Sequence, residues 1–150
     1  MQVNTNIYTV QVVDWQDNGW ALRAIREAVF IHEQHVPAEL EWDELDATCI
    51  HMLAMDSAGN SVGTARLLLS GMIGRMAVLK EWRRKGVGSA LMLRLLEEAR
   101  KRHMPQVALN AQTYVMVFYA RFGFQTVGDE FTDAGIPHMK MILRLDDRVS

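Results

Sequence analysis

The residues best suited to chemistry concentrate in Arg83-Arg84-Lys85-Gly86-Val87-Gly88-Ser89, where the apolar periodicity Val87, Leu91, Met92, Leu95, Leu96, Ala99 begins. Three cations and two glycines at a helix start bring free backbone N–H groups, the positive end of a helix dipole and cationic side chains to one point. That combination holds phosphate. The glycines let the backbone wrap an anion closely, which charge alone would not require. Two better-known phosphate motifs fail: Leu91 stands where a dinucleotide fingerprint has a small third residue, and Lys85 precedes Gly86 where a Walker lysine follows a glycine. His32 and His35 stand at i and i+3, not the i and i+4 of a helical zinc pair, and no third ligand lies nearby in sequence, so no metal site is expected.

Positioning these groups takes a scaffold. The 150 residues are 49% hydrophobic without an abrupt shift in composition, which fits one compact domain over 1–150. The formal net charge is −2, with cations clustered between Arg83 and Arg102 and acids between Glu39 and Asp46, which argues against a nucleic-acid partner. Cys49, the only cysteine, cannot form an internal disulfide. Residues 1–10 lack the basic and apolar regions of a secretory leader, and no apolar run approaches the roughly 20 residues that span a bilayer. A soluble cytoplasmic protein without a membrane partner is expected.

Ile7 to Val13 alternates and is rich in β-branched residues, which predicts a strand closed by Asp14 and the polar group Gln16 to Gly19. From Trp20 the positions Ala21, Leu22, Ala24, Ile25, Ala28 and Val29 recur at helical spacing, up to the break at Val36-Pro37. The acidic run Glu39 to Asp46 reads as a loop with a short helical turn, mostly a solvated face, with Arg26 a structural partner for one of its acids. Cys49–Met55, Ser61–Leu69 and Met72–Leu79 are strand-like and joined by turns too short for a crossover, so they form an antiparallel meander. After the central helix, Gln106–Gln112 is a strand parallel to the third meander strand, because a helical crossover reaches it. Val115–Phe122 reads as a short helix, Phe124 restarts a strand, Gly128–Pro137 is a loop, and Met139, Met141, Leu143 and Leu145 mark a final strand. The predicted class is α+β, a mixed, mostly antiparallel central sheet of six to seven strands flanked by about four helices.

The order strand, Arg83-x-x-Gly86-x-Gly88, long helix, strand, then Phe118-Tyr119-Ala120-Arg121-Phe122-Gly123-Phe124 resembles the GNAT superfamily of N-acetyltransferases over most of the chain. Arg26 to Phe30, Glu33-Gln34, Asp43, Asp46 and Asp133-x-Gly135-Ile136-Pro137-His138 further resemble its ElaA-like branch. The resemblance implies acetyl-CoA as donor, with the pyrophosphate over Arg83 to Ser89 and the pantetheine arm paired with the third meander strand at Met76, Ala77 and Val78. Such pairing needs a free edge where that strand splays from its parallel neighbour. The Val78 N–H would then polarise the thioester carbonyl, Asn110 would touch the arm from the opposite strand, and Phe30 and Gln34 would line the acceptor pocket. Tyr119 matches the tyrosine that protonates the departing thiolate in many relatives; packing against CoA beside Phe118 and Phe122 is the alternative.

Transfer to a lysine-like amine also needs a base, because exposing its lone pair at pH 7 costs about 4 to 5 kcal/mol from a pKa roughly 3.4 units above neutrality. Many relatives carry a glutamate on the third meander strand, whereas Ile73 to Leu79 holds no carboxylate. His32, Glu33, Asp46, His51 and His138 remain, with Glu33 preferred and His138 second. The expected activity is transfer of acetyl from acetyl-CoA to a primary amine, on a small molecule or peptide, by direct attack in a ternary complex without Cys49 as nucleophile. A non-catalytic acyl-CoA sensor is the alternative, favoured by the missing strand carboxylate; an ATP-binding protein using the same glycine-rich turn is a second. Exposed strand edges are compatible with a homodimer.

Overall fold

A computed structural model describes residues 7–145, so part of the segment read for a leader, residues 1–6, lies outside the described residues. Strand β1 (Tyr8–Val13) ends at Asp14, whose carboxylate accepts the Asp17 N–H at 2.7 Å and starts helix α1 (Trp15–Arg26). The helix begins five residues before its apolar repeat, with the polar residues Gln16 to Gly19, which can cap a helix, in its opening turns behind the Asp14 cap. At Glu27 it widens into a π-helical segment, Glu27–Glu33, closed by Gln34 N–H to Val29 C=O at 3.0 Å. Helix α2 (Ala38–Glu41) and a 3₁₀ turn (Glu44–Thr48) carry the acidic run.

The meander follows as β2 (Ile50–Asp56), β3 (Ser61–Leu67) and β4 (Met72–Val78), then helix α3 (Val87–Lys101), β5 (Gln106–Gln112), helix α4 (Met116–Ala120), β6 (Gln125–Asp133) and β7 (Ile136–Arg144). They form one seven-stranded sheet in the order β1-β2-β3-β4-β5-β7-β6. Only β4 and β5 run parallel. The predicted loop Gly128–Pro137 is mostly a hairpin. Ala134 and Gly135 take φ of 54° and 79°, the two positive values a tight I′ turn needs, and Asp133 pairs with Ile136. Every residue of β6 is exposed, so no apolar alternation marks it in the sequence.

The apolar stripe of α3 covers one face of the sheet: Leu91, Leu95 and Ala99 are fully buried in a core with Met52, Ala65, Leu67 and Val107. Gly63 allows this approach, since a Cβ there would stand 3.1 Å from Leu91 and Val87 side chains and 3.2 Å from the Ala77 carbonyl. Helix α1 covers the other face, with Ala21 and Leu22 against Leu53, and Ile25 against Ala77.

The acidic run is solvated in part: Glu39, Asp43 and Glu44 are exposed, while Glu41 and Asp46 are buried. Arg26, 1% exposed, donates from Nε to Glu41 at 2.7 Å and from Nη1 to Asp46 at 2.8 Å, between the rings of Trp15 and Trp42. Arg66 reaches Asp43 and Asp46 at 2.9 and 3.0 Å, and Arg75 donates to the Glu41 carbonyl at 2.9 Å. Arg75 Nε also lies 3.1 Å from the Glu41 carboxylate, but its N–H is turned aside, so that contact is ionic without a hydrogen bond. This network clamps α2 and the 3₁₀ turn onto β3 and β4.

Candidate active site

β4 pairs with β5 only at Met72↔Ala108 and Ile73↔Leu109, and the cause of their separation lies in β4. Arg75 takes φ 51°; Thr64 pairs with Ala77 and Arg66 with Gly74, so Arg75 and Met76 together oppose Ala65. The bulge twists β4 aside while β5 continues along β7 as far as Gln112↔His138. A wedge opens between Gly74–Val78 and Asn110–Gln112.

The ladder decides which main-chain groups face it. Leu79 N–H donates to the Val62 carbonyl at 2.9 Å, so Val78↔Gly63 is a non-hydrogen-bonded pair and the Val78 N–H and C=O point away from β3. The C=O accepts from Arg83 Nε at 2.9 Å, and the N–H is turned toward the wedge. Met76 packs on the α3 side of the sheet and Ala77 is buried on the α1 side.

The N-terminus of α3 stands beside the end of β4. Gly86, at φ 86°, is its N-cap and supplies no side-chain cap, leaving the first-turn N–H groups of Val87, Gly88 and Ser89 available to an anion. A Cβ on Gly88 would lie 3.5 Å from the Phe118 ring and 4.0 Å from Val78, so α3, α4 and β4 converge there. Arg84 and Lys85 are exposed and make no ion pair among the described residues. Arg83 differs: both terminal nitrogens bind the Glu33 carboxylate at 2.6 Å. Of the cations expected to face phosphate, it is the one already committed. The same hydrogen bonds hold the Glu33 carboxyl below the usual range, which weakens it as a base.

Tyr119 is half-buried between Phe118 and Phe124, whose ring centroids lie 5.1 and 6.2 Å away. Burial, with a smaller contribution from Tyr114, pushes its phenol up to about 12, so it keeps its proton throughout the physiological range. On the α1 side, Gln112 Nε2 donates to Gln34 Oε1 at 3.0 Å, linking β5 to the end of the π-helical segment. His138 stands opposite Gln112 on the same face of the sheet, its Nδ1 2.7 Å from the Ile136 carbonyl. Phe30 packs behind, against the cluster of Ile25, Val29 and Ala77. Asn110 shares the face of Gln112 and is exposed.

Other base candidates lie elsewhere. Asp46 is held by Arg26 and Arg66, and the His51 ring bonds the Asp46 carbonyl at 2.8 Å and packs on Trp15. His32 is exposed. Burial pushes the Cys49 thiol up, the opposite of what a nucleophilic cysteine needs. A shallow groove along Ala90, Leu93, Arg94, Glu97, Arg100 and Lys101 lies on the solvent side of α3 and gathers none of the site groups. Among the described residues no cluster of His, Cys, Asp or Glu is placed to hold a metal ion, and no helix is long and apolar enough to cross a membrane. Sequence reasoning missed Gln112, which the alternation from Asn110 could have given, and the Arg75 bulge, which nothing in the sequence marks.

Residues 10–145 match the family profile of the acetyltransferase (GNAT) domain. The uncharacterized N-acetyltransferase YjcF of Bacillus subtilis is 39% identical over 122 residues, covering 79% of this chain and 86% of that one. The crystal structure of Escherichia coli ElaA superposes with a TM-score of 0.81 at 31% identity, over 91% of this chain and 99% of ElaA. An acyl-CoA N-acyltransferase from Pseudomonas aeruginosa gives 0.78 at 30% identity, over 91% and 97% of the two chains.

Proposed function

We propose, since the chain belongs to the GNAT family of acetyltransferases, that it moves the acetyl group of acetyl-CoA to a primary amine by direct attack in a ternary complex. The observation that carries this reading is the Val78 N–H turned into a wedge whose neighbour is the free N-terminus of α3.

In this reading the first-turn N–H groups of α3, with Arg84 and Lys85, hold the pyrophosphate. Val78 N–H meets the thioester oxygen, where a hydrogen bond gains strength as negative charge develops. Arg83 holds no phosphate; it ties Glu33 at the end of the π-helical segment to the Val78 carbonyl and so braces the wedge. The phenol of Tyr119 serves the departing sulfur as a hydrogen-bond donor. A phenol whose proton burial holds this firmly favours hydrogen-bond donation over full transfer, and in this reading the sulfur takes its proton from the nitrogen that attacks.

The donor site is tested by calorimetric titration of acetyl-CoA into the wild type, Arg84→Glu and Lys85→Glu. Both positions are exposed and make no ion pair among the described residues; Lys85→Glu gives up only the cation–π contact of Lys85 Nζ with the Trp82 ring at 5.3 Å. Affinity should fall at least about tenfold in each variant, from one lost charge contact and one added repulsion. Unchanged affinity in both would remove the pyrophosphate from this helix end and the reading with it.

A further inference from the structure

The proton that must leave the attacking amine has no carboxylate to go to on β4, and Glu33 is occupied by Arg83. His138 is differently placed. The residue is 8% exposed, and its ring is stacked on Phe131 at 5.7 Å. Its Nδ1 lies 2.7 Å from a backbone carbonyl, which can only accept, so Nδ1 carries the hydrogen and the neutral ring presents a lone pair at Nε2. Nε2 has no hydrogen-bond partner among the described residues, yet it is not one of the fully covered polar atoms, so it reaches solvent. This buried, stacked, tautomer-fixed imidazole belongs to the residue paired in register with Gln112, on the face of the sheet where Gln112 at the wedge edge meets Gln34.

We infer that His138 is the general base of the transfer, an inference that rests on the transferase reading. An ammonium acceptor gives one proton to Nε2, which passes it to the solvent that reaches the same atom. The freed nitrogen lone pair forms the C–N bond, the C–S bond breaks as the carbonyl reforms, and the second nitrogen proton ends on the thiol of CoA. One proton is released per turnover. Phe131 stands across from His138 on β6; the charged groups near it by register are Lys140 and Arg144 on the same face of β7, Asp133 opposite Ile136, and Asp129 and Glu130 in the β6 bulge, all exposed; past Gln34, Glu33 is neutralised by Arg83. Gln112 and Gln34 offer the acceptor a remaining amide oxygen and amide NH₂ with which to orient it.

The test measures thiol release from acetyl-CoA against pH with glucosamine, spermidine and phenylalaninamide, for the wild type, His138→Gln and Glu33→Gln. His138→Gln should lose at least about 100-fold in kcat/KM and the acidic limb of the profile, while binding acetyl-CoA as tightly as the wild type by calorimetry. Glu33→Gln should keep that limb. A His138→Gln enzyme within about threefold of wild type, or one that retains the limb, overturns the assignment. Nitrogen-15 NMR of the wild-type imidazoles is independent of how the variant folds: His138 must be the Nδ1–H tautomer, and the Nε2–H form would exclude it. Acetyl-CoA binding without thiol release by the wild type would instead overturn the transferase reading, and this inference with it.

Discussion

Arg83 stands next to Arg84 and Lys85 in a cationic run, but its guanidinium is the one committed to protein partners, with both terminal nitrogens on Glu33 and Nε on the Val78 carbonyl. Composition cannot separate three adjacent cations; only the fold, which brings Glu33 across 50 positions of sequence, does so. The same fact explains why Glu33 reads well as a base in sequence and poorly in space. Arg83→Ala should lower kcat at least about tenfold, because misplacing the end of β4 misplaces the oxyanion donor, yet change acetyl-CoA affinity less than about threefold. Steady-state kinetics paired with calorimetry checks this. A loss of affinity matching that of Lys85→Glu would return Arg83 to the phosphate site. The place of Gly86 at the start of α3 was legible from the cations and glycines that precede an apolar helical repeat, and Tyr119 was named only through the family resemblance, whereas the tautomer of His138 depends on a carbonyl that the sequence does not position.

At the scale of elements, the wedge comes from one bulged residue pair in β4. Periodicity and crossover logic give the meander, the parallel strand and the long helix, since each carries an apolar stripe or a turn signal. The bulge carries neither, because an arginine at positive φ has no compositional signature. The β6–β7 hairpin escaped for a related reason: an edge strand exposed along its whole length has nothing to alternate. At the start of α1 the polar residues were legible as able to cap a helix, but the first helical residue was not, because the opening turn is polar. Since the Val78 N–H points away from β3, Val78→Pro breaks no ladder hydrogen bond, and circular dichroism should stay native. Its kcat should fall about 100- to 1000-fold, the usual loss of an oxyanion donor. Native activity in this variant would show that the oxyanion is stabilised elsewhere.

Across the whole molecule, the stability of the two-sided sheet is coupled to pH through one buried histidine and two arginine-paired carboxylates. Burial keeps His51 below its ordinary value, outweighing the Asp46 carbonyl bonded to its ring. Asp43 is pushed up by burial but pulled down further by Arg66, and Glu33 is lowered by Arg83. Each of these groups binds its proton more weakly in the folded than in the unfolded chain, so acid favours unfolding. The unfolding free energy from urea titrations should begin to fall below about pH 6.5, as His51 of the unfolded chain titrates, and fall further below about pH 4 as the carboxylates do. A flat profile between pH 7 and 3 would mean that the arginine network does not persist in solution. The central claim, direct acetyl transfer in the wedge, is tested most directly by rapid-quench thiol release from acetyl-CoA with and without the amine panel, with the quenched protein weighed by mass spectrometry. The account predicts thiol release that requires an amine and protein of unmodified mass at every time point. Acetyl-CoA bound without amine-dependent thiol release, or an amine-independent burst that leaves acetylated protein, would contradict it.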